Sequence, residues 1–470
     1  SAWDSCRVLV AGNSNPRLYS RSQKIGEAKV KIAARIVLAI ALVGLFLSQI
    51  VAAQFPVAST SFAIPALKTV DVEPLPLELY CPGAFAEVGG ESGIELGQID
   101  RIGEASIYQF LGSGELIVDP GLTTTIGDRL VAVGDNQSTG LLSVIQAQGV
   151  SRDRALGLMA STCSQPSFSG WFISGAAALG QETVLILSNP SESETLVSLQ
   201  FLVPGGKISK QVSLAAGQTD VLPVSSVIFQ EPIFSLWFET SGVPISVAMQ
   251  QRATAGLSTR GVDMQLPSLA PSNDNLITGL SVRSEGFEKP VLRLFNFGDA
   301  ATEAVITAVA SNNVVVLRQQ VQPEGFAEIE LDLTDGDYLV RVESTTPLLA
   351  GIKNTILKPV VDFSWLTQSS RFTDLTLPVP SYKTRVHVAN FGSTALAVNL
   401  EITNGTRVEY QSFEIASLTQ VSLPISGDSI RINSASEFTA ALEIIDVPGY
   451  AVINPRENQN FGDALSVSVR

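Results

Sequence analysis

The chain has 470 residues, of which 45% are hydrophobic and 16% charged, so it can fill several packed domains and carries too little charge for a disordered one. Its net charge of −15 is the wrong sign for holding nucleic acid. Three cysteines are too few for a disulfide-stapled miniprotein, and one histidine excludes His-rich metal centres.

The charge is unevenly spread. Residues 1–35 hold seven basic groups (Arg7, Arg17, Arg21, Lys24, Lys29, Lys31 and Arg35) against Asp4 and Glu27. No charge follows until Lys68, and Ile36 to Ala53 reads IVLAIALVGLFLSQIVAA. Eighteen helical residues cover roughly 27 Å, close to the thickness of a bilayer core. A basic flank, an apolar run and an acidic body, in that order, predict a cytosolic tail (1–35, disordered), a single transmembrane helix (36–53, a signal anchor) and an exported body. A signal peptide cut after Ala53 is the competing reading, which would make the protein secreted. Residues 54–76 carry Pro56, Pro65, Pro74 and Pro76 and read as an extended stalk.

The body repeats. Four short strands run into Cys81, Asn189, Asn296 and Asn390, at intervals of 108, 107 and 94 residues. Intervals of that length suit single β-sandwich domains. The residues four and two places earlier are aliphatic in every copy: Leu77 and Leu79, Leu185 and Leu187, Leu292 and Leu294, Val386 and Val388. Period two then points these residues into a core and sends Glu78, Arg293 and His387 to solvent. Asn at the strand end suits a turn, because its side chain bonds nearby backbone. A second repeated element spans Leu236 to Ala248, Leu339 to Ala350 and Ile430 to Ala441, and reads as a hairpin around a polar turn. Val203 to Lys207 carries a further hairpin-turn signal, Pro-Gly-Gly.

The predicted fold class is therefore all-β: about four tandem Ig-like or fibronectin-like β-sandwich domains after one N-terminal transmembrane helix. The domains are expected at 77–163, 171–252, 277–355 and 373–470. Linkers are expected at 164–170, 253–276 and 356–372.

Cys81 and Cys163 bracket the first unit on the exported side, where disulfides persist, and are predicted to be bridged. His387, on an outward strand position, reads as a surface residue. The carboxylate runs Glu328, Glu330, Asp332 and Asp335, Asp337 read as solvated strand faces. Asn273-Asp274-Asn275 lacks a complete calcium-loop pattern. The sequence holds no GxSxG, Walker loop, HExxH or CxxC. No catalytic, cofactor-binding or metal site is assigned.

The basic tail and membrane run, then Leu79-Tyr80-Cys81-Pro82-Gly83, then a Cys shortly before Gly170-Trp171-Phe172 and Leu185-Ile186-Leu187-Ser188-Asn189-Pro190, resemble an actinobacterial family of membrane-anchored, β-rich secreted proteins of unknown function. The resemblance covers roughly residues 30–470. It implies an envelope protein without an assigned activity.

These readings predict a non-enzymatic, membrane-anchored extracellular or cell-envelope protein without a cofactor. It would be a structural scaffold or a protein-binding accessory factor. Its expected partners are the membrane and envelope proteins or cell-wall glycan, with no nucleic acid. The competing reading is a carbohydrate-binding protein acting on cell-wall glycan, which requires exposed aromatics on one sheet face. Trp171, Trp237, Trp365 and Tyr382 are the candidates, although Trp in sandwiches commonly sits in the core. An envelope enzyme would need a cleft with convergent carboxylates.

Overall fold

Alternation decides the second repeat. In Thr195–Val203, Val197, Leu199, Phe201 and Val203 are buried and the residues between them are not. One face of this strand therefore lies on a core, with Leu185, Leu187, Phe234 and Leu236. Two four-stranded antiparallel sheets enclose that core in a computed structural model of the chain. One runs Ser169–Ala177, Glu231–Thr240, Thr195–Val203, Gly206–Leu214; the other runs Thr219–Pro223, Gln181–Ser188, Ser246–Ala255, Ser258–Gln265. The structure describes Val43 and residues 68–71, 77–89, 98–110, 115–119, 129–133, 143–456 and 466–469. Within these residues the protein is all-β, with one short 3-10 turn at Val224–Ser226 and Val43 in helical conformation.

Two units partition the chain, Asp71–Ser466 and the remainder, Ser1–Val70 with Val467–Arg470. Lys68–Asp71 pairs with Ser466–Val469. The predicted cytosolic tail, membrane helix and most of the stalk lie outside the described residues. Among the described residues, no helix is long and apolar enough to cross a membrane.

The Asn that ends each early strand is a clamp. Asn189, Asn296 and Asn390 each donate from Nδ2 to a carbonyl four residues on (Ser193, Ala300, Thr394). Each donates again to a carbonyl 25 residues on (Leu214, Val321, Ile415). Each accepts through Oδ1 from the N–H two residues on (Ser191, Gly298, Gly392). One side chain thus satisfies a turn and ties it to a later strand. In the first repeat Cys81 stands there, disulfide-bonded to Cys163 with Cα atoms 4.4 Å apart. The backbones of the neighbouring Tyr80 and Ser164 also pair. Closing a loop of this length contributes about 4–5 kcal/mol in the chain-entropy model.

The second repeated element differs from the predicted hairpin. In the third repeat Gly336–Ile356 is one strand of 21 residues. Its first half pairs with Ser272–Val282 and Thr302–Ala310, its second half with Val291–Asn296 and Asp362–Thr367. Ser429–Ile445 does the same in the fourth repeat. The polar stretch near Glu343 that reads as a turn is the exposed middle of a strand passing between two layers.

The predicted linkers 253–276 and 356–372 contain the strands Ser258–Gln265 and Asp362–Thr367. These hold the modules together. Ala155–Thr162 packs on Ser258–Gln265, that on Asp362–Thr367, that on Tyr450–Ile453, and the last closes back on the first. Each repeat supplies one strand to this cycle, so Asp71–Ser466 is a single compact unit and not a string of independent beads.

At the centre of the cycle sits Asp362. Oδ1 accepts the N–H groups of Val262 (2.9 Å) and Phe363 (3.0 Å), and Oδ2 those of Leu158 and Tyr450 (both 2.8 Å). One amide comes from each repeat. The residue before each of the other three amides is glycine: Gly157, Gly261 and Gly449. A Cβ on Gly157 would stand 2.5 Å from Asp362 Oδ1, and one on Gly261 or Gly449 would be closer still to the carboxylate. An ionised carboxylate offers about four lone-pair sites, and all of them are used. Burial pushes the Asp362 pKa well up, while the four N–H groups oppose it.

One step along the same strands, Asp263 accepts from Gln265 Nε2 (2.7 Å), Trp365 N (3.0 Å) and Ser364 Oγ (3.2 Å). Burial raises its pKa to about 6, and those hydrogen bonds only partly offset the rise. The folded state therefore keeps a proton that the unfolded carboxyl releases near pH 4. Stability should fall as pH rises from about 4 to about 6, by on the order of 3 kcal/mol. Urea midpoints across this range should show the fall in the native chain and a flatter profile in Asp263→Asn. Identical profiles would contradict the assignment.

The outward positions of the early strands are not solvated. Leu187, Leu294 and Val388 are buried as predicted, but so are Arg293 (4% exposed) and His387 (0%), and Glu78 is half-buried. His387 lies between Glu443 (Nε2 to Oε2, 3.2 Å) and Ser422 (Nδ1 to Oγ, 2.6 Å). The cause is the cycle of modules, which covers the second face of these sheets.

Candidate functional site

Where the second and third modules meet, the sheet of the second turns an aromatic row outward. Trp171 pairs directly with Trp237, and Trp237 on its other side with Gln200. The alternation that buries Leu199 and Phe201 leaves Gln200 and Leu202 on the opposite face. The two indoles stack, with centroids 5.5 Å apart and planes at 20°.

The third module faces this row with Phe295, Phe297 and Phe326. Phe297 meets Trp171 edge-on at 4.6 Å and Phe295 at 4.5 Å, and Phe326 lies 4.5 Å from Phe295. Together they line a groove of about 680 Å³. Ile173, Phe295 and Leu349 form its buried floor.

Two turns make the rim. Pro204-Gly205 closes the hairpin predicted there, with Val203 paired to Gly206, and brings Lys207 to the groove. Pro323 to Gly325 brings Glu324. Glu324 has φ 47°, a left-handed conformation that recurs at Gly217 (67°) and Leu418 (58°) in the corresponding turns, so it belongs to the repeat and not to the groove.

Beneath the floor, Arg293 ties the modules together. Its Nη1 donates to the carbonyls of Ile173 (3.1 Å) and Gly175 (2.8 Å), and its Nε to Glu328 (2.9 Å). Its guanidinium lies 4.7 Å from the centroid of the Trp365 ring. Burial lowers its pKa.

Of the four candidate aromatics, the structure brings Trp171 and Trp237 together. Trp365 is buried at the seam, and Tyr382 packs against the core of the fourth module. The candidate carboxylates pair locally: Glu328 with Arg293, Asp332 with Lys289, Asp337 with Arg283 and Arg385, and Asp274 with Arg341 and Arg371. Among the described residues, no group of three or more His, Cys, Asp or Glu is placed to hold a metal ion. The three phenylalanines escape a reading that follows only the repeated motif. Their signal is present, because Phe295 and Phe297 share strand parity with Arg293 and put two aromatics on a face assigned to solvent.

Among the described residues the fold and groove describe an all-β protein in which strands from four successive stretches of chain meet around a shared centre. The chain belongs to the family described as "Family of unknown function (DUF5719)", which matches residues 125–426. No curated protein matches it. Among solved structures, a Streptomyces avermitilis alpha-L-rhamnosidase complexed with L-rhamnose aligns at 7% identity and a TM-score of 0.12, over 80% of this chain and 55% of that one. This chain thus spans about half the length of that enzyme. A tetra-tandem repeat from the extending region of a large adhesion protein aligns at 10% identity and a TM-score of 0.11, over 83% and 94% of the two chains. At such scores neither likeness carries an argument.

Proposed function

We propose that the protein is a non-enzymatic scaffold of the cell envelope. Residues 36–53 anchor it in the membrane, residues 1–35 lie in the cytosol, and four Ig-like or fibronectin-like modules project outside as a protein-binding accessory factor. The actinobacterial setting implied by the resemblance belongs to the same proposal. The observation that carries it is the closed cycle of modules around Asp362. Tandem modules on flexible linkers present surfaces whose relative positions drift. Modules locked through one buried centre hold a composite surface in fixed geometry, as a scaffold requires. The reading as a cell-wall glycan-binding protein is favoured by one specific feature, the aromatic groove.

External protease applied to intact cells stripped of their wall tests the topology. The body should be digested and an epitope within residues 1–35 spared. A body protected until lysis would refute the exported placement.

A further inference from the structure

We infer that the groove between the second and third modules binds a neutral pyranose oligosaccharide. The inference rests on reading the chain as a binding scaffold, and it names the occupant of the groove. The walls are aromatic and half-buried: Trp171 and Trp237 on one side, Phe297 and Phe326 on the other. An aromatic face packs against the C–H face of a pyranose ring, which is apolar while its edge is polar. The polar side chains at the groove are mixed. Gln200 donates and accepts, Lys207 donates and Glu324 accepts. Hydroxyl groups, each both donor and acceptor, need such a mixture.

The two rim charges are opposite, which favours a ligand without net charge. A volume of about 680 Å³ is within the range of small-molecule sites and suits more than one sugar ring. An extended peptide fits less well. A peptide backbone can add only at the edge strands Ser169–Ala177, Gly206–Leu214 or Phe326–Glu330, because Thr195–Val203 and Glu231–Thr240, which carry Gln200 and Trp237 in the middle of the wall, are paired on both sides. The stacked pair Trp171–Trp237 is fixed by strand pairing and Phe297, so the platform is pre-formed and little side-chain freedom is lost on binding.

Tryptophan fluorescence and calorimetry on the full chain, in a detergent without a sugar head group, test the inference. The probes are maltotriose, cellotriose, N,N′,N″-triacetylchitotriose and mannotriose, with trigalacturonic acid and decaproline as alternatives. At least one neutral trisaccharide should bind saturably. Trp237→Ala should weaken it roughly tenfold or more, and Trp237→Phe by less. Gln200→Ala should weaken it several-fold, whereas Tyr410→Ala on the exposed fourth module should leave it unchanged. No neutral trisaccharide binding below about 10 mM, equal affinities in all variants, or preferential binding of decaproline or the acidic sugar would overturn the inference. A parallel assay for new reducing ends separates the two readings. Binding with cleavage would overturn the non-enzymatic scaffold and keep the sugar site, whereas no sugar binding would overturn the site and leave the scaffold to the protease experiment.

Discussion

Asp362→Gly should cost on the order of 5 kcal/mol or more, enough to threaten folding of the whole Asp71–Ser466 unit. The substitution makes the third repeat match the other three at this position (Gly157, Gly261 and Gly449), yet it leaves the amides of Leu158, Val262, Phe363 and Tyr450 facing an empty centre. Each buried unpaired N–H costs about 1–3 kcal/mol. Because the four donors come from four modules, the loss should appear as one calorimetric transition moving down as a whole. Hydrogen exchange should open at Leu158, Val262 and Tyr450 together. The deleted group is an acetate in all but its bond to Cα, so acetate should raise the melting temperature of the variant in a saturable way and acetamide should not. Separate melting of the third module alone, with the amides of the other three still protected, would show that the centre does not couple the repeats.

The second large effect concerns Arg293. Arg293→Ala should cost on the order of 3–5 kcal/mol, at least as much as Leu294→Ala, for which about 2–5 kcal/mol is expected from lost burial and a cavity. Removing the guanidinium strands the carbonyls of Ile173 and Gly175 inside the seam and frees Glu328 from its partner. Arg293→Lys should recover little, since one ammonium cannot reproduce the fork that reaches both carbonyls and the carboxylate while lying over Trp365. Denaturant unfolding of the three variants decides the matter. An Arg293→Ala chain as stable as the native one would place the residue on the surface after all.

These two residues mark where the sequence stops being readable. The strands, their aliphatic cores and the Asn clamps are local, set by alternation within ten residues and by a side chain bonding its own turn. They were accordingly legible in Leu185 to Asn189 and its copies. Which face of a strand meets water is not local. The residues at positions like Arg293 and His387 alternate as a solvent face would, and only the neighbouring module buries them. The cycle itself was hidden for a related reason. Its strands are short, and two of them lie in stretches with the Gly, Pro and Ser content of linkers. Ser258–Gln265 and Asp362–Thr367 each pair with the strand just before them, but the contacts that place them in the cycle come from about a hundred residues or more away. The groove was half visible. Trp171 and Trp237 stood out by type, but their pairing depends on register, and the phenylalanines opposite belong to another repeat.

The centre also sets a rule of stoichiometry. Four equivalent positions converge on a space that admits one side chain. Four glycines would leave the amides orphaned, and two aspartates would force the atoms of two carboxyl groups into one buried site. Identical subunits assembling four at a time would have to choose all or none. Joining the repeats in one polypeptide lets the first, second and fourth keep glycine while the third supplies the carboxylate. Non-identical copies are thus a condition of this arrangement, which tandem linkage supplies, and the repeats cannot drift toward a common consensus at this position without losing it.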